Sequence, residues 1–169
     1  MAIKLLFETA LTDNSDTDIE TVGTLRYEPD GKLYKWVENI SASVALAAGQ
    51  PVFYDQSLHA TPAAMFQGVL QVATSADLSL FAGIAMSAIP YGEYGWIQVA
   101  GVSITALWLN SCSNDIPVGA SLLLVSGAGA LSWQADTAIM GSAPAIALVS
   151  VASGESVAAA RATMLNCIR

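Results

Sequence analysis

Residues 81–104, FAGIAMSAIPYGEYGWIQVAGVSI, constrain the chain more than any other stretch. Ile84, Met86 and Ala88 alternate with small residues, as in a sheet with little exposed polar surface. Pro90-Tyr91-Gly92-Glu93 then breaks the alternation with turn chemistry: proline presets φ and glycine accepts a positive φ. From Tyr94 to Val99 the period of two resumes, with aromatic and β-branched side chains that suit a pleated surface. The expectation is strand, tight turn, strand, with Pro90, Gly92, Tyr94, Gly95 and Trp96 as its turn and structural core. No side chain in this unit is suited to attack, protonate or ligate a substrate.

The remainder follows the same grammar. In VGTLRYEPDGKLYKWVE (22–38), Asp30-Gly31 signals a two-residue hairpin turn. That register sets Tyr27 against Tyr34, Leu25 against Trp36, and Arg26 against Lys35, the last unfavourable unless Glu28 or Glu38 lies near. A loop, Val44, Leu46, a turn at 48–51 and a strand at 52–54 come next. Residues 56–65 read as a loop. In FQGVLQVA (66–73), Phe66, Leu70 and Val72 share one face and Gln67 and Gln71 the other, as in a half-buried strand. Residues 105–117 read as irregular, 143–152 as a strand, and 156–168 as a closing strand in preference to a helix. LAAGQPVFYD (46–55) and IPVGASLLLV (116–125) share an apolar residue, a glycine and a following strand. This is weak internal similarity, two turns of one kind and not a solenoid period. Short strands between Gly and Pro turns indicate an all-β fold: a compact sandwich or small barrel of short antiparallel strands with an extended N-terminal arm. Residues 1–21 form the arm and 22–169 a single β domain. Its apolar Leu5, Phe7 and Leu11, beside the polar run 13–18, either dock on a neighbour or order on their own domain.

Composition narrows the function. The chain is 54% hydrophobic and only 12% charged, so part of its surface is expected to be buried against other chains. A net charge of −8 opposes nucleic-acid binding and anionic membranes. The start MAIKLLFE has too short an apolar run for a signal peptide, and the longer apolar runs are broken at strand spacing, so no transmembrane helix is expected. Cys112 and Cys167 read as buried free thiols in preference to a disulfide.

A search for chemistry returns little. His59 lacks a G-x-S-x-G partner and reads as a surface loop residue. Asp13, Asp16 and Asp18 lack the glycine and terminal glutamate of a calcium loop and read as a solvated acidic stretch. His59, Cys112 and Cys167 lack zinc spacing, and Gly127-Ala128-Gly129 opens no βαβ unit. Asn39-Ile40-Ser41 matches a glycosylation acceptor by chance. Tyr27, Tyr34, Trp36, Tyr91, Tyr94, Trp96, Trp108 and Trp133 read as core and cross-strand partners before a sugar platform. No catalytic, metal or cofactor residue is expected.

GIAMSAIPYGEYGWIQVAG (83–101) resembles a segment of capsid decoration (cement) proteins of tailed bacteriophages, with GTLRYEPDGKLYKWVEN (23–39) and AAGQPVFYD (47–55) in the same order. The likeness covers roughly residues 22–102 and extends loosely to the C-terminal third. It implies a β-rich homotrimer on the outside of the virion, bound to the major capsid protein and bridging capsomers. Leu5, Phe7 and Leu11 are then the candidate capsid contacts. A receptor- or glycan-binding virion module is the alternative, and a hydrolase a distant third.

Overall fold

A computed structural model describes residues 6–41, 44–54, 68–70, 81–108, 115–124, 131–132, 145–150 and 159–166. Leu5, His59, Cys112, Cys167 and Trp133, and the strand faces assigned to Phe66, Gln67, Gln71 and Val72, lie outside them. Within the described residues the protein is all-β. Its strands are β1 Asn14–Ser15, β2 Leu25–Tyr27, β3 Leu33–Asn39, β4 Pro51–Tyr54, β5 Gly68–Leu70, β6 Phe81–Ala85, β7 Tyr94–Trp108, β8 Ser121–Leu124, β9 Leu131–Ser132, β10 Ala145–Ala147 and β11 Ala159–Asn166. Strands are found where they were expected before Pro90, over 94–99 and within 156–168, the last described over Ala159–Asn166.

Strand pairing closes two rings. In the first, β7 pairs β6, β6 pairs β4, β4 pairs β5, β5 pairs β3, and β3 returns to β7. In the second, β7 pairs β11, β11 pairs β10, β10 pairs β8, β8 pairs β9, and β9 returns to β7. The fifteen-residue β7 is therefore shared: its first half closes one small barrel and its second half the other. Closure leaves fewer bare sheet edges than an open sheet of the same strands. Most pairings are antiparallel, but β3–β5 and β7–β9 are parallel. One buried cluster runs through both rings, from Val37, Leu46, Ile89 and Ile97 to Ile116, Leu122, Ala147 and Leu165.

The two rings repeat one design. Leu46 precedes a turn in which Gln50 N donates to Ala47 O (3.1 Å), and Gly49 takes φ +81. Ile116 precedes a turn in which Ala120 N donates to Pro117 O (3.2 Å), and Gly119 takes φ +86. Gly49 N donates to Ala85 O and Gly119 N to Ala147 O, each at 2.8 Å. Ala85 N returns to Gln50 O and Ala147 N to Ala120 O, each at 2.9 Å. The similarity between 46–55 and 116–125 is thus the trace of two turns placed alike. The roles of β3, β4, β5 and β6 recur in the second half of β7, in β8, in β9 and in β10.

Three local expectations are corrected. The 22–38 hairpin pairs Leu25 with Lys35, Arg26 with Tyr34 and Tyr27 with Leu33, one residue off the expected register. Pro29 is the reason: Gly31 N donates to Glu28 O (3.0 Å) and Glu28 N to Lys32 O (3.0 Å), with Gly31 at φ +82. The loop is therefore Pro29-Asp30-Gly31, a turn started by proline and completed by a left-handed glycine, and not two residues. Residues 105–108, expected to be irregular, continue β7. The strand expected to run on through Met86 and Ala88 stops at Ala85: residues 86–89 detour so that Ile89 can bridge Leu46, and the tight turn expected at 90–93 follows. Pro90 stands at the first turn position, its carbonyl accepting from Glu93 N (3.1 Å), while Gly92 takes φ +76.

Candidate functional site

Two sheet faces, one sealed and one bare, carry the functional argument. On the first ring, register sets Trp36 of β3 opposite Trp96 of β7, and their rings meet edge to face at 5.2 Å. Adjacent Val37 and Ile97 point to the opposite, interior side. An exposed pair of tryptophans on a sheet would be a costly surface. The N-terminal segment covers it. Phe7 stands edge-on to Trp96 at 5.6 Å, and Leu11, Val22, Met86 and Tyr94 complete the packing.

Polar contacts fasten the cover. The Trp96 indole N–H donates to Thr9 Oγ1 (2.9 Å) and the Trp36 indole N–H to Asp18 Oδ1 (2.9 Å). Glu20 Oε1 accepts from Glu8 N (2.8 Å), Thr9 N (2.7 Å) and Thr9 Oγ1 (2.7 Å). Arg26 donates to Glu28 Oε1 (2.7 Å) and Thr9 O (2.9 Å), and its guanidinium lies 5.0 Å from the Phe7 ring centre and 5.8 Å from that of Trp96. Glu28 thus relieves the charge problem raised by Arg26, whose cross-strand neighbour is Tyr34 and not Lys35. Asn14 pairs with Gly95 as β1.

The candidate site residues fall as follows. Phe7 and Leu11 are packed on their own domain, which takes one of the two readings of the arm for these residues. Leu6, beside them, is 85% exposed. Trp96 is buried and Tyr94 half-buried; burial, and then the carboxylates of Glu38 and Asp18, hold the Tyr94 hydroxyl above the ordinary tyrosine range. Gly95 makes room for Ile89, whose Cδ1 would lie 2.6 Å from an added Cβ. Gly92 N donates to Asn39 O (2.8 Å). Asn39 itself is buried, its amide donating to Val44 O and Ile89 O, so its sequon is structural. Of the acidic run, Asp13 accepts from Ala10 N, and Asp18 from Val22 N and Trp36. These carboxylates organise the arm as well as facing solvent. Among the described residues no group of three His, Cys, Asp or Glu is placed to hold a metal.

The second ring carries the face that sequence reading missed. Ala145, Ala147, Ser103 and Thr163 point inward and are buried. Val102 of β7 and Ile146 of β10 point outward, with Met164 of β11 at the register position between them. Ile104, on the same side of β7 as Val102, is 71% exposed, and Leu148 continues the row beyond Ile146. Leu122 and Leu165 fill the inside of this ring beside these small and polar residues, so the aliphatic residues outside are additional to its core. Val118, in the turn before β8, adds a further exposed aliphatic. Exposed aliphatic residues on β7 and β10, the two strands that flank β11, mark a surface made to be covered. The sequence signal was the VSI alternation at 102–104, which fixes two faces but not which one is buried.

A third feature is an open cleft of about 610 Å³ beside the arm, lined by Leu6, Phe7, Thr9, Arg26, Tyr27 and Glu28 among others. Inside the first ring, Lys35 Nζ donates to Tyr54 Oη (3.1 Å) and lies 4.7 Å from that ring's centre; burial pushes its pKa down. Neither feature brings together a nucleophile and a base. The chain matches no known family model, curated protein or solved structure.

Proposed function

We propose that this chain is a decoration (cement) protein of a tailed-bacteriophage capsid: a self-associating, chemically inert, all-β module that binds the outer surface of the head and bridges neighbouring capsomers. The observation that carries the proposal is the bare aliphatic face of the second ring, on a chain with 12% charged residues. A cluster of exposed aliphatic residues of this kind marks a surface that another chain covers. The resemblance at 83–101 supplies the kind of assembly. The partners are the major capsid protein and further copies of the chain as a homotrimer; nucleic acid and membranes are not partners, and the protein is not an enzyme and uses no cofactor. Several weak contacts per oligomer then add up to firm retention on the shell.

The test is to mix the purified protein with undecorated heads of the phage that encodes it. Saturable binding and a higher temperature of shell disruption support the proposal; free protein and unaltered shells refute it. A receptor- or glycan-binding virion module remains the second reading, favoured by Tyr27, 73% exposed at the cleft. Binding to a glycan array that is lost in Tyr27→Ala would favour it. Trp36 and Trp96 are unavailable to such a ligand because the arm seals them.

A further inference from the structure

We propose that the bare face of the second ring receives the N-terminal tip, residues 1–6, of a second copy of this chain. This rests on the self-association in the proposed function and not on the capsid, so failure to bind shells and failure of this contact are separate results.

The repeat supplies the argument. The two rings present matching outer faces: Trp36, Trp96 and Met86 on one, Val102, Ile104, Ile146 and Leu148 on the other. On the first, the structure shows what seals such a face: an extended segment that lays Phe7 and Leu11 across the strands. On the second, no described residue does so. The same chain carries a complementary orphan. Leu6 is 85% exposed where the arm leaves the first ring, and MAIKLL, which contains it, is apolar apart from Lys4. That single positive charge also suits a protein of net charge −8.

A tip that seals a face elsewhere on an identical molecule makes a head-to-tail contact, and such contacts close into rings when the rotation permits. A trimer is one such closure. The geometry also keeps the tip from Ile104 of its own second ring. Ile104 lies eight residues past Trp96 along β7, about 26 Å of strand, whereas residues 1–6 span about 20 Å fully extended.

The experiment places the photo-crosslinking residue p-benzoylphenylalanine at position 104 in the full chain. Equal amounts of ¹⁴N- and ¹⁵N-labelled protein are mixed, irradiated, digested and read by mass spectrometry. Links of mixed isotope between position 104 and peptides from residues 1–12 are expected. Links within one chain only, links to another region, or no links between chains would overturn the proposal. Leu6→Asp and Ile104→Asp, both at exposed positions, provide an independent reading by sedimentation. Each is expected to raise the dissociation constant of self-association about tenfold or more, with an unchanged near-ultraviolet tryptophan signal. A wild-type chain that sediments as a monomer, or association unaltered in both variants, would also overturn it.

Discussion

At the scale of single residues, Glu20 and Arg26 hold the arm on its tryptophan platform. One carboxylate oxygen of Glu20 accepts from two backbone N–H groups and a hydroxyl, so Glu20→Ala strips the segment at 8–9 of three partners at once. Hydrogen bonds to a charged group contribute about 1.5–3 kcal/mol, and a loss in that range is expected on urea unfolding. Hydrogen exchange should quicken in residues 7–13 while β3 and β7 stay protected. Equal loss of protection throughout would mean that the arm is not a separable layer.

Lys35 gives a pH signature. Burial lowers its pKa from 10.5, so between that lowered value and 10.5 the folded chain binds fewer protons than the unfolded one. Stability therefore rises with pH in that window as the cost of burying the ammonium is relieved. Against Lys35→Met, which has no such charge, the wild type is expected to gain stability as the pH rises through that window towards 10.5 in paired urea titrations. A difference independent of pH would contradict the burial of this charge.

At the scale of elements, the two matched turns make a controlled comparison. Gly49 and Gly119 both hold positive φ, which costs an alanine roughly 1–2 kcal/mol. A Cβ on Gly119 would meet no atom within 4 Å, whereas one on Gly49 would lie 2.1 Å from Thr105 O, a backbone atom of β7. Gly119→Ala should lower stability by about that conformational cost, and Gly49→Ala by more, at about 3 kcal/mol or above, since β7 must shift. Equal effects would show that the first turn is not pressed against β7.

These elements also show what a sequence can reveal. The strands on either side of 86–93, the closing strand at 159–166 and the all-β class follow from local alternation and turn residues, and they were legible. The hairpin register was not, because Asp30-Gly31 and Pro29 support loops of different length and only the hydrogen bonds decide between them. The path of the arm depends on Phe7 meeting Trp96, a contact between distant residues that no local pattern encodes. The bare face was hidden for a further reason: Val102 and Ile104 look like an interior stripe until Ser103 proves to be the inward residue.

At the scale of the whole molecule, sharing β7 couples two small barrels into one buried cluster, so neither ring is expected to unfold alone. A single calorimetric transition should result, and two resolved transitions would mean that the rings are independent units. The first ring is finished in cis by its arm, while the second presents aliphatic residues that a solitary molecule would leave wet. The proposed role on a capsid follows from that asymmetry together with the scarcity of charge.

The most direct measurement is cryo-electron microscopy of undecorated heads incubated with the purified protein. The proposed function predicts ordered density on the outside of the shell at positions where capsomers meet, with copies of the chain in contact through the second ring. Heads without added density, recovered alongside a monomeric protein at the same concentration, would contradict it.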